Sequence, residues 1–240
     1  RSGARASNVG LELARGDYIA RMDADDVATP DRLAVQLKAI AARGLDVCGG
    51  QTMRFGDREG PIWYPQEAPA MACELVFRSG MANATMLARA EVLKAAGFSE
   101  TEAYEEYELQ TRLIGQVRLG NCPEVVLRLR VHPAQATAVL ATQKSASRWR
   151  LRFGHFFRLF PDATLADFGC VNALARGGAV ASADALRASG DWLVRLSRPP
   201  DDRLRRRMAR RWREACERCA APAAEIARVR AEYAARILAE

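Results

Sequence analysis

The amino-acid sequence predicts an α/β layer fold over residues 1–142 and a basic helical extension over residues 143–240. Helix-like and strand-like patterns alternate through the first part, which is typical of layered α/β domains. Hydrophobic residues make up 49% of the chain, enough for a buried core. The net charge of +7 is uneven, because residues 143–240 carry 20 Lys and Arg against 11 Asp and Glu. This change of charge defines the predicted boundary.

Composition also bears on the class of protein and its compartment. The six cysteines are scattered, and Cys216-x-x-Cys219 has no second pair, so neither a disulfide framework nor a zinc site is predicted. No apolar run approaches the ~20 residues that a membrane span needs. The N-terminus "RSGARASNVG" lacks the apolar stretch of a signal peptide. These features favour a cytoplasmic protein.

The first elements follow from apolar spacing and from helix-ending residues. "ARASNVGLELARG" predicts a short helix that begins near Ser7 or Asn8 and stops before Gly16. "DYIARMD" predicts a strand of about five residues directly afterwards. "TPDRLAVQLKAIAARG" predicts a helix with Thr29 as N-cap, and Gly44 lies just past its end.

The same reasoning extends the alternation toward residue 132. "DVCGG" and "QTMRF" predict two short strands, and "RAEVLKAAGF" predicts a helix that is closed by Gly97. "EEYELQTRLIGQ" predicts a helix, and the β-rich alternation of "EVVLRLRVH" predicts a strand. Helices and strands therefore alternate throughout the first 132 residues.

The segment "DYIARMDADD" concentrates negative charge behind an apolar run. If the strand continues through residue 25, Asp23 and Asp25 point to the same side at its C-terminal end. Open α/β sheets bind ligands at that end, and two carboxylates suit Mg²⁺ or Mn²⁺ when phosphate oxygens and water complete the shell. A solvated loop in which Asp26 caps a turn is the alternative interpretation.

Four segments in order resemble family 2 glycosyltransferases of the GT-A fold. "GARASNVGLELARGDYIARMDADDVATPDRLAVQLKAI" is similar to the helix, strand, D-x-D-D motif and Pro-initiated helix in the middle of that family. "MANATMLARAEVLKAAGF", "AYEEYELQTRL" and "LRVHPAQAT" resemble three later family segments. The resemblance implies a GT-A-like fold, a truncated Rossmann-like mixed sheet flanked by helices, with a helical C-terminal extension.

The resemblance also implies an activity. Members move a sugar from a nucleotide-diphosphate donor to an acceptor hydroxyl, usually with inversion, which suggests a hexosyltransferase-type enzyme of polysaccharide biosynthesis. Asp23 and Asp25 match the D-x-D motif that would hold Mn²⁺ or Mg²⁺ on the diphosphate, and Asp26 would orient the loop. Glu105 and Glu106 replace the family's Glu-Asp pair, so Glu106 is the expected catalytic base and Glu105 the second candidate. Glutamate has one methylene more than the family's aspartate, which moves the carboxylate by ~1.5 Å. A displacement of about 1 Å can lower the reaction rate ~100-fold.

Further positions acquire expected roles from the same resemblance. His132 would approach the metal and diphosphate, although Ala134 stands where the family has glycine. Arg5 and Asn8 would face the nucleotide, although a helix N-cap also explains Asn8. Asn83 stands where relatives often carry histidine, and a strand-end hydrogen-bonding role explains it equally well.

The chain departs from the family pattern at its start. The family's first strand and two further βα units, which hold the donor's base and ribose, precede the segment that Arg1 begins. A fragment of a longer protein, a misplaced start and a degenerate relative all fit. The open sheet edge would favour self-association. The second hypothesis is therefore a truncated or degenerate relative that acts as a non-catalytic binding or interaction module.

The basic extension suggests partners. Nine arginines lie between Arg195 and Arg213, and two amphipathic helices are predicted from Asp201 onward. A solvated helix face is one interpretation. Peripheral contact with anionic lipid headgroups at the inner face of the membrane is another, and it would suit a lipid-linked acceptor. A saccharide acceptor is also possible. Nucleic-acid binding has no motif to support it.

Overall fold

A computed structural model describes residues 3–132 and 141–238. The chain divides into two compact units, Arg1–Leu151 and Arg152–Glu240. The predicted boundary after residue 142 falls inside the helix Ala141–Leu159, which also contains the observed division. Across the described residues, no helix is both long and apolar enough to cross a membrane.

The first unit contains helices α1–α5 and strands β1–β6, and α6 runs from it into the second. In chain order these are α1 Gly3–Leu13, β1 Tyr18–Ala20, β2 Val27–Ala28, α2 Arg32–Arg43, β3 Val47–Gly56, β4 Gly60–Ile62, α3 Ala68–Leu75, β5 Leu87–Arg89, α4 Ala90–Ala96, α5 Glu105–Leu113, β6 Leu119–Val131 and α6 Ala141–Leu159. The sheet order is β1-β5-β3-β6-β2, and β4 pairs with β3. Only β3 and β6 pair in parallel among these strands; the other pairs are antiparallel. This mixed sheet flanked by helices confirms the predicted fold class.

The sheet separates two apolar layers, because successive side chains of a strand point to opposite faces. Val47 packs with residues of α1, α4 and α5, among them Leu11, Leu93 and Leu109. Its neighbour Cys48 packs in the other layer, which includes Ile40 of α2. The central strands are therefore covered on both faces.

The beginning of the chain differs from the prediction in two elements. Helix α1 begins at Gly3 rather than near Ser7 or Asn8, because Ala4 is buried and extends the apolar face by one turn. Strand β1 ends at Ala20, because its partner β5 is only three residues long. The chain turns away from the sheet after Arg21, whose N–H still donates to the carbonyl of Met86, so alternation along a strand does not apply to the aspartates.

Two further boundaries needed correction. Helix α2 begins at Arg32 with Asp31 as N-cap, while the N–H of Thr29 donates to the carbonyl of Val126, 3.0 Å away. "DVCGG" and "QTMRF" form the single strand β3, because β6 pairs along its length through local register shifts. The predicted glycine caps are confirmed at Gly44, which adopts φ 61°, and at Gly97.

The second unit is helical. After α6 it contains α7 Leu165–Arg176, α8 Ala183–Leu196, α9 Asp202–Glu217 and α10 Ala223–Leu238. The predicted amphipathic pair corresponds to α9 and α10. Leu204, Met208 and Trp212 of α9 are buried, and Trp212 packs on Tyr233 of α10 with ring centroids 5.3 Å apart. His155 is also buried.

Candidate functional site

The three neighbouring aspartates occupy the turn between β1 and β2. The N–H of Asp26 donates to the carbonyl of Asp23 over 3.3 Å, which closes this turn. Strand β2 fixes its position, because Val27 pairs with Arg128 of β6. Strands β3 and β6 run parallel up to Gly56 and Val131, so the turn lies at their carboxyl ends. This is the end at which open α/β sheets bind ligands.

The end of β6 holds Asp25. Nε2 of His132 lies 3.0 Å from Oδ2 of Asp25, and Nε of Arg130 donates to the carbonyl of Asp25 over 3.0 Å. The hydrogen bond from His132 holds the pKa of the Asp25 carboxyl below its ordinary value. Asp25 is therefore an ionised, oriented and still accessible carboxylate. Pro133 and Ala134, which complete the His132 motif, lie outside the described residues.

Asp26 points inward from the same turn. Its Oδ1 accepts the backbone N–H of Arg130 at 2.8 Å, and its side chain is buried. Burial raises the pKa of Asp26 above its ordinary value. This geometry is that of a residue that anchors the turn to β6. That Asp26 orients the loop toward a ligand stays a prediction.

Arg21 connects Asp23 to the segment before β5. Its Nη1 donates to Oδ1 of Asp23 over 2.7 Å. The side-chain oxygen of Asn83, in the amide orientation that satisfies its neighbours, lies 2.9, 2.9 and 3.2 Å from the three guanidinium nitrogens. Sequence reasoning did not single out Arg21, because an arginine near the end of a strand is usually a solvated residue.

A buried polar network supports the turn from below. Arg32 is only 3% exposed; its Nη2 donates to the carbonyl of Arg21 over 2.7 Å, and its Nε donates to Gln36 over 3.1 Å. Gln36 in turn donates to the carbonyls of Cys48 and Thr85. Burial lowers the pKa of Arg32. The four-residue spacing of Arg32 and Gln36 in the sequence could have indicated that their side chains are neighbours on a helix. It does not show that they are buried, because an exposed pair has the same spacing.

The two candidate base residues, Glu105 and Glu106, form the first turn of α5. Both are partly exposed, and acidic residues in a first turn are favoured by the helix dipole. The helix is held from within, because Gln110 exchanges two hydrogen bonds of 3.1 Å with the backbone of Met81. The segment that follows Met81 carries Asn83, so α5 and the aspartate turn are attached to the same part of the chain.

The first turn of α6 whose side chains are described contacts the residues before α5. The guanidinium carbon of Arg148 lies 4.9 Å from the centroid of the Tyr104 ring, and Arg150 pairs with Glu102. Tyr104 in turn stacks on Tyr107, with ring centroids 5.3 Å apart. These contacts immobilise the backbone that precedes Glu105.

The two predicted nucleotide-facing residues, Arg5 and Asn8, lie on α1. Asn8 is inside the helix, where its Nδ2 donates to the carbonyl of Phe98 and its Oδ1 accepts the Phe98 N–H, at 2.9 and 2.8 Å. It is not an N-cap. Arg5 is exposed on the same helix, and a Cβ built on Gly3 would lie 3.4 Å from Oε1 of Glu105. The start of α1 is therefore next to the start of α5.

The oxygen ligands of the aspartate turn suit a divalent cation whose coordination shell is completed by substrate atoms. Within residues 3–132 and 141–238, no three His, Cys, Asp or Glu side chains form a protein cage for a metal. Mg²⁺ is commonly bound by one or two carboxylates together with substrate phosphates and water. Asp23 and Asp25 provide such carboxylates, and each already faces a positively charged or hydrogen-bond-donating group, Arg21 or His132. The residues fit this kind of site.

Comparison with known proteins relates part of the chain to one family. The family described as glycosyl transferase family 2 matches residues 1–101, which include the aspartate turn. A Haemophilus influenzae protein named as an uncharacterized glycosyltransferase is 26% identical over 154 residues, 61% of this chain and 57% of its own. The Escherichia coli O-antigen biosynthesis glycosyltransferase WbnJ is 29% identical over 149 residues, 59% of this chain and 56% of its own. The chain spans about half the length of the curated relatives it matches.

The fold has a counterpart among solved structures. The crystal structure of TarS from S. aureus matches 95% of this chain and 42% of its own with a TM-score of 0.50 and 13% identity. At this identity the likeness is one of fold, and the fold is GT-A. Residues 1–101 therefore resemble the family 2 glycosyltransferases.

Proposed function

We propose that this chain supplies the catalytic turn and base of a metal-dependent, inverting glycosyltransferase, which moves a sugar from a nucleoside-diphosphate donor to the hydroxyl of a saccharide or lipid-linked acceptor. The observation that carries the proposal is the Asp23–Asp26 turn at the carboxyl ends of β3 and β6, with Asp25 held by His132. The turn also lies within the residues that match the family. The name of WbnJ supports polysaccharide biosynthesis as the process.

Asp23 and Asp25 would hold Mn²⁺ or Mg²⁺ on the donor diphosphate. When bound, the cation neutralises the negative charge that develops on the leaving diphosphate. His132 keeps the Asp25 carboxylate ionised and oriented, and Asp26 keeps the turn against β6. Arg5 is exposed on α1 and is proposed to contact the nucleotide. Asn8 would help to position α1 for that contact through its hydrogen bonds to Phe98.

Glu106 is proposed as the general base, with Glu105 as the second candidate. A base must accept the proton of the acceptor hydroxyl as that oxygen attacks the anomeric carbon. The support for Glu106 is its match to the family's catalytic position, together with its partial exposure at the start of a firmly held helix.

The outer face of α9 is proposed to contact anionic lipid headgroups. Arg206, Arg210 and Arg213 are exposed on this helix, whereas its apolar residues are buried at Leu204, Met208 and Trp212. Because the apolar face of α9 is already packed, attraction would be electrostatic, without insertion into the hydrocarbon layer. Such contact would bring the enzyme to a lipid-linked acceptor.

A thermal-shift titration with Mn²⁺ and UDP, dTDP or GDP tests the proposed activity. The wild-type chain should be stabilised by Mn²⁺ together with one nucleotide, and Asp25→Asn should lose this stabilisation. Asp31→Asn is the matched control, because Asp31 is exposed at the start of α2 and makes no side-chain capping bond.

The assay also separates the two hypotheses about the chain. Metal-dependent hydrolysis of the matching sugar nucleotide, lost in Asp25→Asn but kept in Asp31→Asn, would establish a working donor site. Absence of both stabilisation and hydrolysis with all three nucleotides would contradict the enzymatic proposal for this chain, and would favour a non-catalytic binding module.

A further inference from the structure

We propose that Arg21 is a counter-ion that neutralises Asp23 when no cation is bound, and that turns to the donor diphosphate when a divalent cation takes its place. The inference rests on the proposed function, and it assigns a specificity-determining role to a residue outside the D-x-D motif. Three observations support it: the pairing with Asp23, a second anchor for the guanidinium, and the rigid backbone beneath it.

The pairing is direct. Nη1 of Arg21 lies 2.7 Å from Oδ1 of Asp23, and the Asp23 side chain is 45% exposed. Asp23, Asp25 and Asp26 lie in one turn, where their negative charges repel one another. Arg21 therefore supplies positive charge where a divalent cation would sit.

The guanidinium has a second anchor that does not involve the aspartates. The Asn83 side-chain oxygen lies 2.9 to 3.2 Å from its nitrogens, and its central carbon lies 6.0 Å from the centroid of the Phe98 ring. Release of Asp23 would thus leave Arg21 attached to Asn83. It would remain beside the site, with donors free for another acceptor.

The backbone of Arg21 is fixed on both sides. Its N–H donates to the carbonyl of Met86 over 2.8 Å, and its carbonyl accepts from the buried Arg32 over 2.7 Å. A change of partner therefore requires rotation of the side chain alone. No movement of the turn is needed.

Electrostatics and hydrogen-bond geometry determine whether Arg21 pairs with Asp23 or with the diphosphate. A divalent cation on Oδ1 of Asp23 would repel a guanidinium 2.7 Å from the same oxygen, so the two compete for it. The diphosphate that arrives with the cation offers oxygens that match the planar donor fork of arginine. Arg21 would then oppose binding of the cation alone and favour binding of the nucleotide with the cation.

This double role predicts effects of opposite sign in one variant. Arg21→Met should bind Mn²⁺ alone about five-fold more tightly, because one positive charge near Asp23 is removed. With saturating Mn²⁺, the same variant should bind the nucleoside diphosphate about ten-fold or more weakly, because a charge-assisted hydrogen bond is lost. Arg21→Lys keeps the charge, and should restore the wild-type affinity for Mn²⁺ alone without fully restoring nucleotide affinity.

Isothermal titration calorimetry of the full chain measures both affinities, first with Mn²⁺ alone and then with UDP, dTDP and GDP in saturating Mn²⁺. Arg15→Met is the matched control, because Arg15 is exposed in the loop after α1. Circular dichroism of each variant checks that it is folded. The control should match wild type in both titrations.

The outcomes distinguish this inference from the proposed function. Tighter Mn²⁺ and weaker nucleotide binding in Arg21→Met support it. A fall in both affinities, or no change in either, in folded Arg21→Met and Arg21→Lys would overturn it while leaving the proposed function intact. A wild-type chain that binds neither Mn²⁺ nor any of the three nucleotides would remove the proposed function, and this inference with it.

Discussion

Nε2 of His132 lies 3.0 Å from Oδ2 of Asp25, which joins the end of β6 to a turn 107 residues earlier in the chain. The adjacent Asp26 is tied to the same strand through the N–H of Arg130. Two neighbouring carboxylates thus have different environments: the first is accessible and has a lowered pKa, and the second is buried and has a raised pKa. The turn therefore presents one carboxylate as a ligand and uses the other as an anchor.

We expect Asp26→Asn to stabilise the protein at pH 7.5. Burial raises the pKa of Asp26, so ionisation of this carboxyl costs folding free energy at any pH above that pKa. The gain should shrink as the pH falls through the raised pKa, where the wild-type carboxyl takes up its proton. Asp26→Ala should instead lose about 1–3 kcal/mol, because the N–H of Arg130 loses its acceptor. Thermal unfolding at pH 7.5 and pH 4.5 measures both. Lower stability of Asp26→Asn at pH 7.5 would contradict the prediction.

Arg32→Met should destabilise the first unit by about 2–4 kcal/mol. The substitution leaves the carbonyl of Arg21 and the side-chain oxygen of Gln36 without their donor in a buried position. Lys38→Met on the exposed face of α2 is the control and should change stability by less than about 0.5 kcal/mol. Denaturation in urea checks the difference. Equal stability of the two variants would show that the network contributes little.

Gly190→Ala and Gly169→Ala should change stability in opposite directions. A Cβ at Gly190 would lie 2.5 to 2.8 Å from atoms of the Tyr233 ring, which is held by a hydrogen bond to Asp191 and by Trp212. A loss of about 1–3 kcal/mol is expected. Nothing lies within 4 Å of a Cβ at Gly169, in the middle of α7, so alanine should stabilise that helix by about 0.5–1 kcal/mol. Thermal unfolding followed by circular dichroism compares the two, and a stabilising Gly190→Ala would refute the packing described for Tyr233.

Glu106→Gln should lower the turnover number for sugar transfer by about 100-fold or more, with a smaller effect on the KM for the donor. The reason is that a base acts on the acceptor hydroxyl rather than on donor binding. Glu105→Gln is the matched comparison in the same helical turn and should have a much smaller effect. Steady-state kinetics of both variants decide the assignment. A larger loss in Glu105→Gln would transfer the role of base to that residue.

The triple variant Arg206→Glu/Arg210→Glu/Arg213→Glu should lose binding to phosphatidylglycerol-containing vesicles by about 100-fold, since each basic residue near an anionic surface contributes about 1 kcal/mol. Wild-type binding should disappear in 0.5 M NaCl, because salt screens these charges. A control with the same charge change, Arg15→Glu/Arg58→Glu/Arg228→Glu, uses other exposed arginines and should retain most of the binding. Equal losses in both variants, or binding to neutral phosphatidylcholine vesicles, would argue against a specific role for α9. Vesicle co-sedimentation measures these affinities.

Sequence patterns predicted the longer elements of the first unit but missed β2, β4, α3 and β5, and they placed element ends less well. Gly44 and Gly97 end helices where they were expected, because a left-handed or otherwise strained cap is a local property of the residue. The predicted end of β1 was wrong, because the length of β1 depends on its partner β5, about 70 residues later in the chain. The start of α2 was wrong for the same kind of reason, since the backbone of Thr29 pairs with β6.

The sequence by itself determined the α/β class, the buried face of α9 and the acidic cluster that resembles the D-x-D-D motif of family 2 glycosyltransferases, because these depend on spacing and residue type over short stretches. Only the tertiary structure decided that Asp25 meets His132, that Arg21 spans Asp23 and Asn83, and that Arg32 is buried beneath them. These contacts join residues from 2 to 107 positions apart in the chain. Apart from the local pair Arg21–Asp23, they arise from strand order and side-chain packing across the whole sheet, which no local pattern of residues specifies.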